Sequence, residues 1–339
     1  MIQKIRAGRQ KYGLRMYLRR ELSRGVDRVF SHLNKERLID AIHQLGLNRG
    51  MTVCVHSSLS RLGYIKGGAD SVIDAIMETV GPNGCVLMPC FSMRGSMQSF
   101  LDGKEPFSVR TTPSQVGLIT EVFRNRPGVL RSLHPTSSVA AWGKNAKEFI
   151  HDHEKSLTPF GENTPYGRLA CRDDAYILMI ETHIHSLLHH LQERVDFPNL
   201  FLAGEREACI LDEGGHVRKI STKVMRPRIP YYVAIPSASG REPDWALIQD
   251  FALMFPRGRE IAVKQIGYSF GGYSKLYQRR NNLEKSDIFR SRRVGKGEIG
   301  LLHIKRFLSK IEPELNDLIG RFNKYYDPER IASLNLPYL

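Results

Sequence analysis

A histidine and a carboxylate three residues apart share one face of a helix, and the chain places such a pair at His190 and Glu193. A carboxylate beside an imidazole fixes the ring's orientation and raises its basicity, as removal of a proton by a general base requires. The same spacing is common on solvated helix surfaces, so the pair alone does not make a site. Three more histidines crowd the stretch: His183, His185 and His189. His185 and His189 stand at i, i+4, which suits zinc, but there is no HExxH pattern and no Asp or Glu completes a ligand set, so no metal is expected.

Two polar runs adjoin strand-like segments. His56, Ser57, Ser58 and Leu59 follow the β-branched run 51–55, at the sheet edge where open α/β folds take ligands. Backbone N–H groups and hydroxyls there can hold phosphate or pantetheine amides, or can simply cap a loop. Residues 131–138 (RSLHPTSS) set Arg131, Ser132, His134 and Ser138 just before an apolar strand, as donors lining a cleft or as an ordinary polar loop. Arg292, Gly295 and Gly297 resemble the pyrophosphate loop of the GCN5-related acetyltransferases only as a near-miss, because the strand–loop–helix context is poorly met. No Walker A motif, Rossmann glycine fingerprint or GxSxG elbow is present. The five cysteines, Cys54, Cys85, Cys90, Cys171 and Cys209, form no CxxC pair and read as small buried hydrophobes. An acyl-carrying role for Cys54 or Cys90 is disfavoured by their apolar strand setting.

The elements that must position these side chains follow from periodicity. Helices are expected over 34–47, 69–80, 116–124, 146–153, 184–193 and 298–319, and strands over 51–55, 85–90, 138–142 and 175–180. Asp212, Glu213, Gly214 and Gly215 mark a hairpin turn within 207–224. The strand–loop–helix–turn–strand unit at 51–90 points to a single α/β domain, a mixed sandwich with a central sheet flanked by helices. That domain is expected over 34–339, with a mobile basic insertion at about 268–296, behind a basic amphipathic extension at 1–33.

With 339 residues, 41% of them hydrophobic, the chain can bury a core large enough for an enzyme cleft. Its apolar runs are far shorter than the roughly 20 residues of a membrane span. The basic first 29 residues lack the apolar core of a signal peptide, so a cytoplasmic protein is expected. A net charge of +15 favours anionic partners. No nucleic-acid module accompanies it. The amphipathic pattern over 14–29 allows peripheral contact with the inner face of a membrane, and a homodimer is compatible with the sequence.

Four motifs in order, VHSSLSRLGYIKGGADSVIDAIMETVGPNGCVLMPCFS, PGVLRSLHPTSSVAAWGKNA, TPFGENTPYGRL and HHLQE, resemble the aminoglycoside 3-N-acetyltransferase family over roughly 35–200. The resemblance implies an α/β fold distinct from the GCN5-related type, acetyl-CoA or another acyl-CoA as donor, and direct transfer to a primary amine activated by a histidine. On that basis His190 looks like the base and Glu193 its acidic companion. His56, Ser57, Ser58, Leu59 and Tyr64 look like the coenzyme loop, and Ser132, His134 and Ser138 a second coenzyme-side motif. Where the family carries Asn-Thr before the base, this chain has Ser186 and Leu187. This departure bears on the acceptor contacts, and the strongly basic charge leads to an expected acceptor that is a nucleotide- or phosphate-linked amino sugar of surface-polysaccharide synthesis. Aminoglycoside acetylation conferring antibiotic resistance is the alternative, and a non-catalytic anion-binding protein a further one.

Overall fold

A computed structural model describes residues 33–182, 185–197, 200–212, 214–225, 232–235, 244–247 and 283–325. The helix expected over 14–29, His183 and residues 268–282 of the basic insertion lie outside them. The chain opens with helix α1 (Lys35–Leu45), strand β1 (Thr52–Ser57), a single turn α2 (Leu59–Leu62), helix α3 (Gly68–Val80) and strand β2 (Cys85–Pro89). Two short helices, α4 (Met97–Asp102) and α5 (Leu118–Arg124), lead to β3 (Leu130–Arg131) and β4 (Val139–Gly143). Then come α6 (Ala146–Ile150), a 3₁₀ turn at His153–Lys155, α7 (Pro165–Ala170), β5 (Ala175–Ile180) and α8 (Leu187–Arg194). Two hairpins follow, β6 (Arg206–Leu211) with β7 (Val217–Thr222), and β8 (Tyr232–Ile235) with β9 (Asp244–Leu247). Strands β10 (Phe289–Val294) and β11 (Gly297–His303) and the long helix α9 (Ile304–Tyr325) complete the described chain.

The main sheet has the order β10-β11-β5-β1-β2-β4-β3. β1 runs parallel to both β2 and β5, whereas β11 on one side and β4 on the other are antiparallel to their inner neighbours. The carboxyl ends of β1, β2 and β5 therefore meet the amino ends of β4 and β11 along one edge of the sheet.

Period-two alternation divides the core between the two faces. Val53, Val55, Val86, Met88, Leu178, Ile180, Ile299 and Leu301 point to the layer that contains α1, α3 and α5. Cys54, Leu87, Ile177, Met179 and Leu302 point to the layer made by α7, α8 and α9. Local signals fit these elements: the Asn34 side chain accepts from the Arg37 N–H at the start of α1, and Gly46, at φ 100°, ends it. Thr164 caps α7, with Pro165 at its first position.

Three expectations needed correction. Residues 298–303 are strand β11, and helix α9 begins only at Ile304. The described part of the basic stretch includes β10, an edge strand hydrogen-bonded along its length to β11 and so part of the sheet itself. Arg292, Gly295 and Gly297 consequently sit in a strand–turn–strand hairpin, with no helix to bind a pyrophosphate. Among the cysteines, Cys54, Cys85 and Cys90 are buried as expected, but Cys171 is exposed and Cys209 half-buried.

Helix α9 is held mainly by Phe307, Leu308, Ile311 and Leu315, all buried. Removing the fully buried ring in Phe307→Ala should cost roughly 3–5 kcal/mol, as for other buried aromatic truncations. Denaturant unfolding at constant m-value measures it.

Candidate functional site

The alternation that sends Cys54 to the α7–α8–α9 layer sends His56 there as well, at the carboxyl end of β1. The Ser186 N–H, just before α8, donates to His56 Nε2 at 3.4 Å, so the ring proton resides on Nδ1. The Cys54 thiol lies 3.7 Å from the same nitrogen. His185 meets the His56 ring edge-on at 6.3 Å and the Phe307 ring at 5.7 Å. Desolvation, with a smaller contribution from His189, pushes His56 down to about 3, and burial pushes the Cys54 thiol up to about 12. Both groups are neutral near pH 7. Ser57, Ser58 and Leu59 are partly exposed beside them, and the Ser58 N–H donates to Ile180 O at 2.8 Å, tying the ends of β1 and β5 together. Tyr64 stands further out, 37% exposed.

Helix α8 places His190 in the interior, fully buried. Its Nδ1–H donates to Phe160 O at 2.8 Å, which leaves the lone pair on Nε2, a buried atom without a hydrogen-bond partner among the described residues. A buried acceptor without a donor costs about 1–3 kcal/mol, more than a typical net hydrogen bond returns. One turn later, Glu193 Oε1 accepts from the Phe160 N–H at 3.0 Å. The imidazole and the carboxylate thus do not bond to each other, contrary to the simple reading of their spacing. The two peptide groups of Phe160 bind one each.

Burial lowers the pKa of His190, only partly offset by the Phe160 carbonyl and by Glu162. Burial raises Glu193 to about 7, against the opposing pull of the Thr158 hydroxyl, the Phe160 N–H and Lys223. Gly161 completes the strap: a Cβ there would stand 2.5 Å from Thr158 Oγ1 and 3.1 Å from Glu193 Oε2. Around the Phe160 ring lie Phe91 at 5.9 Å, Tyr166 at 5.0 Å and His189 at 4.9 Å. The buried Tyr166 hydroxyl lies near Ser186 without a hydrogen bond of good geometry.

The second polar run folds inward. Arg131, buried and stacked over the Phe107 ring at 4.8 Å, donates to Ser138 Oγ at 3.0 Å, Cys90 O at 2.7 Å and Ser92 Oγ at 3.1 Å. The Ser138 hydroxyl donates in turn to Cys90 O at 2.6 Å. The Ser132 hydroxyl donates to His153 Nδ1 at 2.9 Å and accepts from the Val139 N–H at 2.8 Å. The expected coenzyme contacts of Ser132 and Ser138 are therefore taken up within the protein, where both hydroxyls brace the loop. His134 Nδ1 accepts from the Ser137 N–H at 3.1 Å, and its buried Nε2–H has no acceptor among the described residues. His153, Phe160, Tyr166 and Glu162 had no assigned role at the level of sequence. The motif TPFGENTPYGRL contains three of them, but a main-chain role such as that of Phe160 leaves no mark on residue type.

Residues 54–312 match the family described as aminoglycoside 3-N-acetyltransferase. The chain belongs to that family. Membership makes it a CoA-dependent N-acetyltransferase with acetyl-CoA as co-substrate. It is 32% identical over 207 residues to the SPbeta prophage-derived aminoglycoside N(3')-acetyltransferase-like protein YokD of Bacillus subtilis (strain 168), covering 55% of this chain and 73% of that protein. Aminoglycoside N(3)-acetyltransferase VIII of Streptomyces fradiae is 28% identical over 201 residues, covering 55% of this chain and 70% of its own length. Among solved structures, AAC-IIIb in binary complex with CoASH superposes with a TM-score of 0.61 at 21% identity, over 84% of this chain and 96% of that one, which supports the fold. The α/β expectation is borne out. The relatives' activities point to aminoglycosides and away from the polysaccharide amino sugar inferred from net charge.

Gly161→Ala should push Thr158 and Glu193 away from the strap and lower kcat by about tenfold or more, since misplacing a group of the site by roughly an ångström is costly. Steady-state kinetics with the fold verified by circular dichroism check this.

Proposed function

We propose that the protein acetylates an amine of a polycationic amino sugar of the aminoglycoside type, with His190 as the base. The observation that carries this reading is the local charge. Among the described residues, the charged side chains around His190 and Glu193 are Glu162, Glu193 and Glu312 against Arg194 and Lys223, an acidic excess although the whole chain is +15. A cationic acceptor is attracted to such a pocket and an anionic one repelled. The basic residues that suggested an anionic partner, Arg290, Arg292 and Arg293, lie on β10 at the outer edge of the sheet.

In the proposed reaction His190 Nε2 takes a proton from the acceptor's ammonium group. The freed amine attacks the thioester carbonyl carbon, the C–N bond forms, and as the C–S bond breaks the excess proton on the nitrogen passes to the departing thiolate, leaving neutral amide and free coenzyme thiol. The Nδ1–H bond to Phe160 O fixes the tautomer that leaves Nε2 basic. An ionised Glu193, one turn further along α8 and bound to the same strap, stabilises the imidazolium formed after proton transfer. The partly exposed loop of His56, Ser57, Ser58, Leu59 and Tyr64 and the unmatched His134 Nε2–H are the groups that would meet the coenzyme. A cysteine route is disfavoured, because burial holds the Cys54 thiol near 12 and raises that of Cys90, and His56, at about 3, is too weak a base to activate the thiol of Cys54 beside it.

His190→Ala should lower kcat by ~10²–10⁴-fold while coenzyme binding survives. Thiol release from acetyl-CoA against a panel of aminoglycosides and nucleotide-linked amino sugars, with calorimetry for the coenzyme, tests both claims; turnover confined to the nucleotide sugars would overturn the acceptor assignment. The pH profile gives a second check. With the His190 pKa lowered, the base form persists to more acidic pH than an ordinary imidazole allows, so the first acid limb of kcat/KM belongs to Glu193 at about 7. Activity should fall as pH drops through that value, and Glu193→Gln should remove this limb and leave only a lower one.

A further inference from the structure

His153 is fully buried and outside the expected site, yet both of its nitrogens are committed. Nδ1 accepts from the Ser132 hydroxyl at 2.9 Å, and Ser132 Oγ is itself pinned by the Val139 N–H at 2.8 Å. The ring proton must then sit on Nε2, which donates to Pro159 O at 3.3 Å. Stacking against His134, at 4.5 Å between centroids and 29° between planes, holds the ring flat in that position.

Pro159 C=O and Phe160 N–H are the two ends of one peptide plane. The carbonyl end receives the His153 proton donor, and the N–H end donates to Glu193 Oε1 at 3.0 Å. Hydrogen bonds at the two ends of an amide polarise it cooperatively: a donor on the oxygen makes the N–H a better donor. The next carbonyl, Phe160 O, is the one that accepts from His190 Nδ1. A continuous path therefore runs from Ser132 through His153 and one amide to Glu193, and ends beside the base.

We propose that His153 is a positioning residue for the transfer reaction, acting through the Pro159–Phe160 peptide to hold the Glu193 carboxylate in place and in its ionised form. It touches no reacting atom. Burial in this interior favours the neutral carboxylic acid. The strengthened Phe160 N–H counteracts that preference, because a donor to a carboxylate favours the charged form. His153 itself stays neutral, since burial foremost and the adjacent His134 next hold its pKa well below the ordinary value, so the donor persists across the working pH range.

The proposal rests on Glu193 being part of the site, and its test is independent of the acceptor. In the full chain labelled with ¹³C-carboxyl glutamate, the Glu193 resonance, assigned by its loss in Glu193→Gln, is titrated by NMR. His153→Phe keeps the buried ring and its stacking but removes the donor to Pro159 O. It should raise the Glu193 titration midpoint by about one pH unit, the scale of a lost hydrogen bond to a carboxylate. His153→Gln, which restores an N–H near the Nε2 position, should recover most of the shift. Where an accepted amine is available, the acid limb of kcat/KM should move with the midpoint in His153→Phe, whereas adding His153→Phe to Glu193→Gln should move no limb. If His153→Phe does not fold, Ser132→Ala releases the tautomer and should shift Glu193 in the same direction. A Glu193 midpoint unchanged in the folded variants, or one not recovered by glutamine, overturns the proposal. A wild type silent toward every aminoglycoside but showing the expected midpoint shift would count against the acceptor reading alone.

Discussion

The site depends on one short piece of main chain. Residues 158–161 pass across the face of α8, and the carbonyl and N–H of Phe160 bind His190 and Glu193, the two ends of one helical turn. The interaction is demanding because each partner is buried. A free imidazole N–H or an unbonded carboxylate in that interior would each cost more than the hydrogen bond gives in water. The rest of the architecture secures this strap: Thr164 and Pro165 start α7 immediately after it, His153 anchors its other end, and the α9 side chains close the layer behind α8.

The sheet explains why these loops converge. Parallel β1, β2 and β5 finish at the same edge, delivering His56, Cys90 and Glu181 together, while antiparallel β4 begins there and draws in the run at 131–138. Among the described residues, Arg131 closes that corner without a carboxylate in direct contact. Its charge is met by the main-chain carbonyls of Cys90, Val109 and Thr112, by the hydroxyls of Ser92 and Ser138, and by the Phe107 ring.

Much of this was legible in the sequence. Strong amphipathic periodicity with Asn34 and Gly46 as caps marked α1, and the unbroken apolar run 175–180 marked β5. Strand β11 was mistaken for the start of a helix because Ile299, Leu301, Leu302 and Ile304 satisfy either period until pairing with β5 decides it. Strand β10, rich in arginine, looked like a loop because an edge strand needs burial only at alternate or terminal positions, here Phe289 and Val294. The histidine and the glutamate of α8 could be found by spacing, but the means by which they cooperate could not. Net charge misdirected the choice of acceptor because it sums over surfaces far from the pocket.

Phe160 does two separable jobs. Its peptide groups orient His190 and Glu193, and any L-residue other than proline offers the same N–H and C=O. Its ring, packed among Phe91, Tyr166 and His189, forms part of the wall beside them. Variation at this position reshapes the wall while leaving the main-chain bonds to His190 and Glu193 intact. The wall and the main-chain bonds are thus separable, and one substitution at position 160 alters the first without touching the second.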